Sequence, residues 1–246
     1  MKWGIITDTH DKAALVRKAI AIFEKQGCTR VFHCGDFNGD RIAELFTARK
    51  FAFHYVTDHS SHDKKMRSFR ADVLDECLDH NAVFAFHDTY PVERPGRVHK
   101  VRMIDEAIAS GGYDFVLYGH LHSFNLKLPS RASETIAINA GGLYYKDLST
   151  FCVLDVASAL LDVYYFVGKG FVPILRFDLH KRFDSMQILD EPNARTFAEA
   201  LMRLRWNQSD RLEHTFSIED SDWFCKNYKV LFDRLGFKDQ PGFFAA

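Results

Sequence analysis

Five short apolar runs in this chain each lead into a carboxylate or an imidazole, and that coupling narrows the possible folds more than any other feature. Trp3 to Ile6 leads to Asp8-Thr9-His10, Val31 and Phe32 to Gly35-Asp36, and Phe51 to Val56 to Asp58-His59. Ala82 to Phe86 leads to His87-Asp88, and Phe115 to Tyr118 to Gly119-His120-Leu121-His122. Short apolar runs that stop at polar residues or glycine read as buried strands with their loops at one end of a sheet. In open α/β sheets ligands bind beyond the carboxyl ends of the strands, so separate loops can converge there on one site.

The residue types in those loops suit a two-metal hydrolytic site. Two divalent cations about 3.5–4 Å apart can clamp a phosphoryl group, acidify a water and stabilise the charge that develops on a leaving oxygen. Carboxylates and imidazoles suit Mn, Fe, Ni or Zn, and the absence of thiolate spacing disfavours a structural zinc site. A carboxylate shared by two ions has to sit between them, and Asp36, in a tight Cys34-Gly35-Asp36 turn, is the natural candidate. His120 and His122 would share a face in a strand but can diverge toward different ions in a loop. Gly119 is expected to give that loop its backbone freedom.

In kind and order these motifs resemble the calcineurin-like metallophosphoesterase superfamily, specifically its small bacterial and archaeal phosphodiesterases, in which D-x-H, G-D, G-N, an H-G-type turn and G-H-x-H follow one another. The resemblance covers residues 1–167. It implies a four-layer α/β/β/α sandwich and a metal-dependent phosphoesterase, more narrowly a phosphodiesterase, in which a dinuclear site activates hydroxide against a small phosphate ester. It further implies that Asp8, His10, Asp36 and His122 hold one ion, that Asp36, Asp58, His87 and His120 hold the second, and that Asp36 bridges. Mn is the leading metal, with Fe, Ni or Zn as alternatives. Ile138-Asn139-Ala140-Gly141-Gly142 is similar to the family's I-N-P-G-S segment, which supports the site from a neighbouring loop.

The chain departs from the pattern in two places. Thr57-Asp58 stands where the family has G-N, so a carboxylate replaces a neutral amide and adds negative charge to the cluster. His59 falls where larger phosphatases of the superfamily carry the histidine of G-N-H-D, which makes it the candidate catalytic acid for the leaving group. His62 and Asp63 compete with these two for their roles. The second departure is His87-Asp88-Thr89 in place of His-Gly-His, which narrows the approach to the second metal and removes a phosphate contact.

Two other functions use the same fold. One is a non-catalytic scaffold or binding protein resembling the retromer subunit that keeps the phosphoesterase architecture; the other is a nuclease similar to the recombination-repair phosphoesterases. A formal net charge of -1 gives no global attraction to nucleic acid and disfavours the nuclease. Two basic stretches, Lys64, Lys65, Arg67 and Arg70, and Arg94, Arg97, Lys100 and Arg102, follow ligand loops; a solvated helix face is the favoured reading of each, and a place on the rim of the site the alternative. Cysteines at 28, 34, 77, 152 and 225 show neither disulfide nor zinc spacing, which fits a reducing cytoplasm. A strand begins at the N-terminus with no room for a signal peptide, and no apolar run approaches a membrane span. His33 and His54 lie inside apolar runs and read as strand residues with hydrogen-bond partners, while His80, His99, His180 and His214 have no ligand-like spacing.

The 246 residues, 47% of them hydrophobic, suffice for one sizeable core with an appended module. Leu15, Val16, Ala19, Ile20 and Phe23 predict a helix over 12–26 that ends at Gly27. Met66, Phe69, Val73, Cys77 and Leu78 predict another over 64–80. Thr150 to Val156 and Ala159 to Val167 predict an antiparallel hairpin. Residues 1–182 are therefore expected to form the α/β phosphoesterase domain and 183–246 a helical C-terminal extension, after a linker or turn at Asp190-Glu191-Pro192-Asn193. Aromatics of that extension, among them Trp206, Trp223, Phe224, Tyr228, Phe237, Phe243 and Phe244, are expected to pack on the core, with a homo-oligomer contact as the alternative.

Overall fold

The computed structural model describes residues 1–37, 40–56, 73–87, 103–129, 133–181, 186–207 and 228–237. Seven strands form the first sheet: β1 (Lys2–Ile6), β2 (Cys28–His33), β3 (Ala52–Tyr55), β9 (Thr150–Asp155), β10 (Leu160–Val167), β11 (Gly170–Asp178) and β12 (Gln187–Ile188). Five form the second: β4 (Val73–Leu78), β5 (Asn81–Phe86), β6 (Phe115–Tyr118), β7 (Phe124–Lys127) and β8 (Ile136–Ala140). The spatial orders are β12-β11-β10-β9-β1-β2-β3 and β4-β5-β6-β8-β7. In the first sheet β1, β2 and β3 run parallel, with Ile5 opposite Phe32, and β9 joins β1 antiparallel, with Cys152 opposite Ile5. In the second, β5, β6 and β8 run parallel.

Strand alternation sorts the side chains into layers. Trp3, Ile5 and Phe32 point between the sheets, where they meet Val83, Ala85, Phe115, Leu117 and Ile138. Ile6, Val31, Phe151 and Val153 point the other way and are covered by α1 (Ala13–Gln26) and α2 (Asp40–Thr47). On the far side, Phe86, Val116 and Tyr118 are covered by α3 (Met103–Ser110). The result is the expected α/β/β/α sandwich. Helix α1 buries Val16, Ala19, Ile20 and Phe23 and ends at Gly27 in the left-handed conformation, as its spacing predicts. Val16, Ile20 and Phe23 each add roughly 1.5–3 kcal/mol of burial.

The helix predicted over 64–80 is not what the chain forms where it is described. Residues 73–78 are β4, which turns through Asp79 and His80 and pairs antiparallel with β5, Leu78 opposite Asn81. The spacing of four between Val73 and Cys77 explains the misreading, because it satisfies a strand's period of two as well as a helical turn; in β4 both are exposed, and Leu74 and Leu78 are the buried pair. Both turn residues take positive φ, 53° and 68°, the geometry of a tight hairpin turn. Asp79 holds that turn to both first strands: its Oδ2 accepts from Trp3 Nε1 at 2.9 Å and Arg30 Nε at 2.8 Å, and its Oδ1 from Arg30 Nη2 at 2.9 Å.

Strands β9 and β10 form the expected hairpin, but β11 continues it and was not predicted. Pro173 conceals it. The register slips between Val163 and Tyr164, so Ile174 bulges and the proline is accommodated there. The turn expected at Asp190-Glu191-Pro192-Asn193 is instead the start of helix α4 (Glu191–Asn207), with Asp190 Oδ1 accepting from the Asn193 amide at 3.3 Å as its cap. Ala194, Phe197, Ala198 and Leu201 of α4, with Tyr228, Leu231, Phe232 and Leu235, join the layer between the sheets. Phe197 lies 5.2 Å from Tyr165 of β10, and Tyr228 donates its hydroxyl to the Phe124 carbonyl on edge strand β7. Phe237 also packs there, against Phe232 at 5.8 Å. Among the described residues no helix is long and apolar enough to cross a membrane.

Candidate metal centre

The carboxyl ends of β1, β2, β5 and β6 meet at one edge of the sandwich. Asp8 and His10 follow β1, Asp36 follows β2, His87 follows β5, and His120 and His122 follow β6. Five of these six residues have left-handed backbone: Asp8 at φ 47°, His10 at 45°, Asp36 at 52°, His120 at 72° and His122 at 53°. Such conformations cost of order 1 kcal/mol for a side-chain-bearing residue and persist only where the surroundings enforce them. Here the backbone does so: the Asp8 amide donates to Gly35 O at 3.0 Å, the His10 amide to Asp36 O at 2.9 Å, and the Leu143 amide to Asp8 O at 3.1 Å.

Gly119 serves this loop differently from the expectation. The left-handed residues are His120 and His122, whereas Gly119 is needed for space, since a Cβ there would lie 2.4 Å from both Cys34 O and Thr7 Oγ1. Its carbonyl accepts from Asn139 Nδ2 at 2.8 Å, while Asn139 Oδ1 accepts from the Gly141 amide at 2.9 Å. The Ile138–Gly142 segment thus supports the G-H-L-H loop from alongside.

Asp8 is completely buried, and its two oxygens have different surroundings. Oδ2 accepts from Thr7 Oγ1 at 2.7 Å and from the His120 amide at 3.0 Å. Oδ1 makes no hydrogen bond of acceptable geometry, although His122 Nε2 lies 3.1 Å away and His87 Nε2 4.0 Å away. His10 Nε2 lies 3.1 Å from Asp36 Oδ2. Ligand atoms of Asp8, His10, Asp36 and His122 all fall within 4.8 Å of one another. These are the four residues that the motif resemblance implies around a first ion.

Two carboxylates and two imidazoles, with a buried carboxylate oxygen unsatisfied among them, make a donor set that fits a divalent first-row ion. His87 stands beside this group. Its Nδ1 lies 2.7 Å from the Cys34 carbonyl, to which it donates, and its Nε2 faces Asp8 Oδ1 at 4.0 Å. The His120 ring is perpendicular to that of His87 at 5.6 Å. Asp58, His59 and Asp88, the competing His62 and Asp63, and both basic stretches lie outside the described residues.

The electrostatics favour an ionised Asp8. Burial opposes its charge, but His122, His87 and Thr7 outweigh burial and hold the carboxyl below its ordinary value. Burial likewise depresses His122, yet Asp8 and Asp36 more than reverse this and raise it. Burial lowers His10 despite the opposing pull of Asp36. Behind the loops, His33 is pushed down to about 3 by burial, against the pull of Asp8, and so is neutral at physiological pH. Its Nε2 lies 2.8 Å from Thr9 Oγ1, and His54 Nε2 lies 3.2 Å from Arg30, so both have the partners expected of strand residues. Two participants escaped the sequence reading. Thr7 differs from an ordinary strand-end threonine only through its tertiary contact with Asp8, and Tyr144, which stands over the imidazoles, lies far from every ligand motif in the chain.

This architecture recurs in known proteins. The chain is 30% identical over 164 residues to Phosphodiesterase MJ0936 of Methanocaldococcus jannaschii, covering 63% of this chain and 93% of that protein. The solved structure of an archaeal phosphodiesterase superimposes with a TM-score of 0.54 at 26% identity, over 66% of this chain and 98% of that one. Vps29 of Entamoeba histolytica, in a complex with Zn2+, shares the fold with a TM-score of 0.54 at 16% identity, over 73% and 99% of the two chains. Residues 1–159, which carry every ligand motif, match the calcineurin-like phosphoesterase superfamily domain. The chain belongs to the calcineurin-like phosphoesterase superfamily.

Proposed function

We propose that the protein hydrolyses phosphate esters, phosphodiesters in preference to monoesters, with the help of two divalent ions. The observation that carries this reading is the group of Asp8, His10, Asp36 and His122, in which Asp8 is buried, the other three are half-buried, and Asp8 Oδ1 has no hydrogen bond. These four residues would hold one ion, and Asp36, Asp58, His87 and His120 the other, with Mn the leading metal and Fe, Ni or Zn as alternatives. The preference for diesters is supported by the phosphodiesterase relative.

Bound divalent ions would supply Lewis acidity at the phosphoryl oxygens and a more acidic water at neutral pH. The chain's own residues prepare for this. Thr7 and the His120 amide anchor Asp8 Oδ2, so that Oδ1 stays turned toward the imidazoles. The Cys34 carbonyl fixes the His87 tautomer and orientation. His59 is the proposed general acid, delivering a proton to the leaving oxygen.

The test is hydrolysis of bis(p-nitrophenyl) phosphate by metal-stripped protein to which Mn has been restored, with Asp36→Asn alongside. The expected result is metal-dependent turnover by the wild type and joint loss of metal and turnover in the variant. Wild-type turnover by Asp36→Asn would remove the two-ion reading. Metal binding without hydrolysis of any diester or monoester would favour the scaffold function instead.

A further inference from the structure

Tyr144 is 46% exposed, yet its ring centroid lies 4.4 Å from that of His10 and 5.1 Å from that of His122. Its placement is enforced from both sides. The preceding Leu143 is fully buried under α1 and α2, and its amide donates to the carbonyl of Asp8. The following Tyr145 meets Tyr144 edge-on at 4.8 Å and lies 5.6 Å from His122. The Tyr145 carbonyl in turn accepts from Ser149 Oγ at 2.9 Å and from the Leu148 amide at 3.0 Å. A buried anchor, a backbone tie to the metal loop and a ring against two candidate ligands thus present a large aromatic face to solvent at the mouth of the site.

That arrangement has a chemical consequence. An aromatic side chain in a fixed loop loses little conformational freedom on binding, and its exposed face is desolvated only when something planar covers it. Stacking on an aromatic side chain is insensitive to the identity of a base or aryl group and depends only on a flat π surface. Tyr144 is joined to His10 and His122 by ring contacts, so a group stacked on its exposed face lies beside the residues proposed to hold the metal.

We propose that Tyr144 is a specificity-determining residue whose ring stacks on a planar substituent of the phosphate ester, so that aryl or nucleobase-bearing esters are preferred over alkyl ones. This rests on the phosphoesterase reading for the location of the phosphoryl group. The ring, rather than the hydroxyl, makes the contact.

The experiment is calorimetric titration of Mn-loaded protein with phenyl phosphate and with methyl phosphate, for the wild type and for Tyr144→Ala, Tyr144→Leu and Tyr144→Phe, with the metal content of each measured. The expected result is that the wild type binds phenyl phosphate more tightly by about fivefold or more. Tyr144→Ala and Tyr144→Leu lose that preference, the ratio of phenyl to methyl phosphate affinity in the metal-loaded protein falling to about one, and Tyr144→Phe keeps it. Equal affinities in the wild type, a preference that survives in Tyr144→Leu, or its loss in Tyr144→Phe would each overturn the proposal. Because the leucine variant retains an apolar side chain over the loop, it decides the matter if the alanine variant does not fold. Turnover of bis(p-nitrophenyl) phosphate is measured in parallel. Turnover without an aryl preference rejects the aromatic subsite alone, whereas an aryl preference without turnover rejects the phosphodiesterase reading and leaves the subsite standing.

Discussion

Asp8 and Asp79 are both carboxylates with left-handed backbone, placed at opposite ends of the same sandwich, and they differ in how completely they are satisfied. Asp79 accepts three hydrogen bonds from Trp3 and Arg30, and both of its oxygens are occupied. Asp8 is more deeply buried, yet its Oδ1 has no hydrogen bond and faces imidazoles that are themselves potential ligands. A carboxylate that serves stability is saturated with fixed donors, because an unmet buried charge is costly. The Asp8 charge is held instead by His122, His87 and Thr7, two of them candidate ligands, which is the arrangement expected of a carboxylate placed for a cation. The Arg30 side holds the sheets together, and the Asp8 side is left open to chemistry.

Exchanging each carboxylate for its amide breaks this comparison most directly. Asp8→Asn is expected to lower phosphodiester hydrolysis by more than about 100-fold and to weaken metal binding, since it removes a ligand rather than a supporting group. The melting temperature of the metal-free chain should fall by about 2–4 °C, because His122, His87 and Thr7 favour the ionised carboxylate in the folded state and the amide gives up that interaction. A large fall in metal-free stability with activity intact would mean that Asp8 is a structural residue like Asp79.

The open edge also requires a proton for the leaving group. If His59 supplies it, His59→Ala should slow hydrolysis of an ester with an alkoxide leaving group by about 100-fold while leaving p-nitrophenolate release, which needs no acid, within a few-fold of the wild type. Equal losses for both leaving groups would assign His59 to binding instead.

Asp79→Asn carries the smallest expected effect and the opposite signature. Loss of the paired charge beside Arg30 should cost about 2 kcal/mol, or about 4–8 °C in Tm, with hydrolysis unchanged within about twofold. The pH dependence follows from the direction of the shift. Arg30, and then Trp3, hold the Asp79 carboxyl below its ordinary value of 3.8. Its contribution is therefore complete above that pH and is lost as the pH falls through the lower, folded-state value. The stability gap between wild type and Asp79→Asn, measured by denaturant titration, should be constant from neutrality to about pH 4 and close below it. A gap that widens on acidification would contradict the assignment.

The residue types of the site were legible because each ligand stretch follows a strand, and strands whose loops share a sheet edge bring distant motifs together. Helix α1 and the β9–β10 hairpin were legible for a related reason, in that their apolar periods are unambiguous, whereas the four-layer sandwich followed from the resemblance to the superfamily. Ambiguity arose where one pattern serves two periods. Val73 and Cys77 fit a helix turn or alternate strand positions, and only pairing with β5 selects the strand. Pro173 disguised β11 because the bulge that tolerates a proline depends on the register of the neighbouring strand. The sequence at Asp190 signalled a break but not its kind, since a cap residue and a turn residue are chemically the same until the following backbone coils.

The sequence by itself determined the chemistry available to this protein: carboxylates and imidazoles at strand ends, in an order that recurs in one superfamily. Tertiary structure decided how those groups stand toward one another. The left-handed backbone at Asp8, His10, Asp36, His120 and His122, the clearance that Gly119 gives Cys34 and Thr7, and the position of Tyr144 over two imidazoles all depend on contacts between segments far apart in the chain. Local propensity encodes which residues are present and the period of their burial. Whether a buried oxygen is left without a hydrogen bond is set by every element packed around it, and no single segment of sequence contains that information.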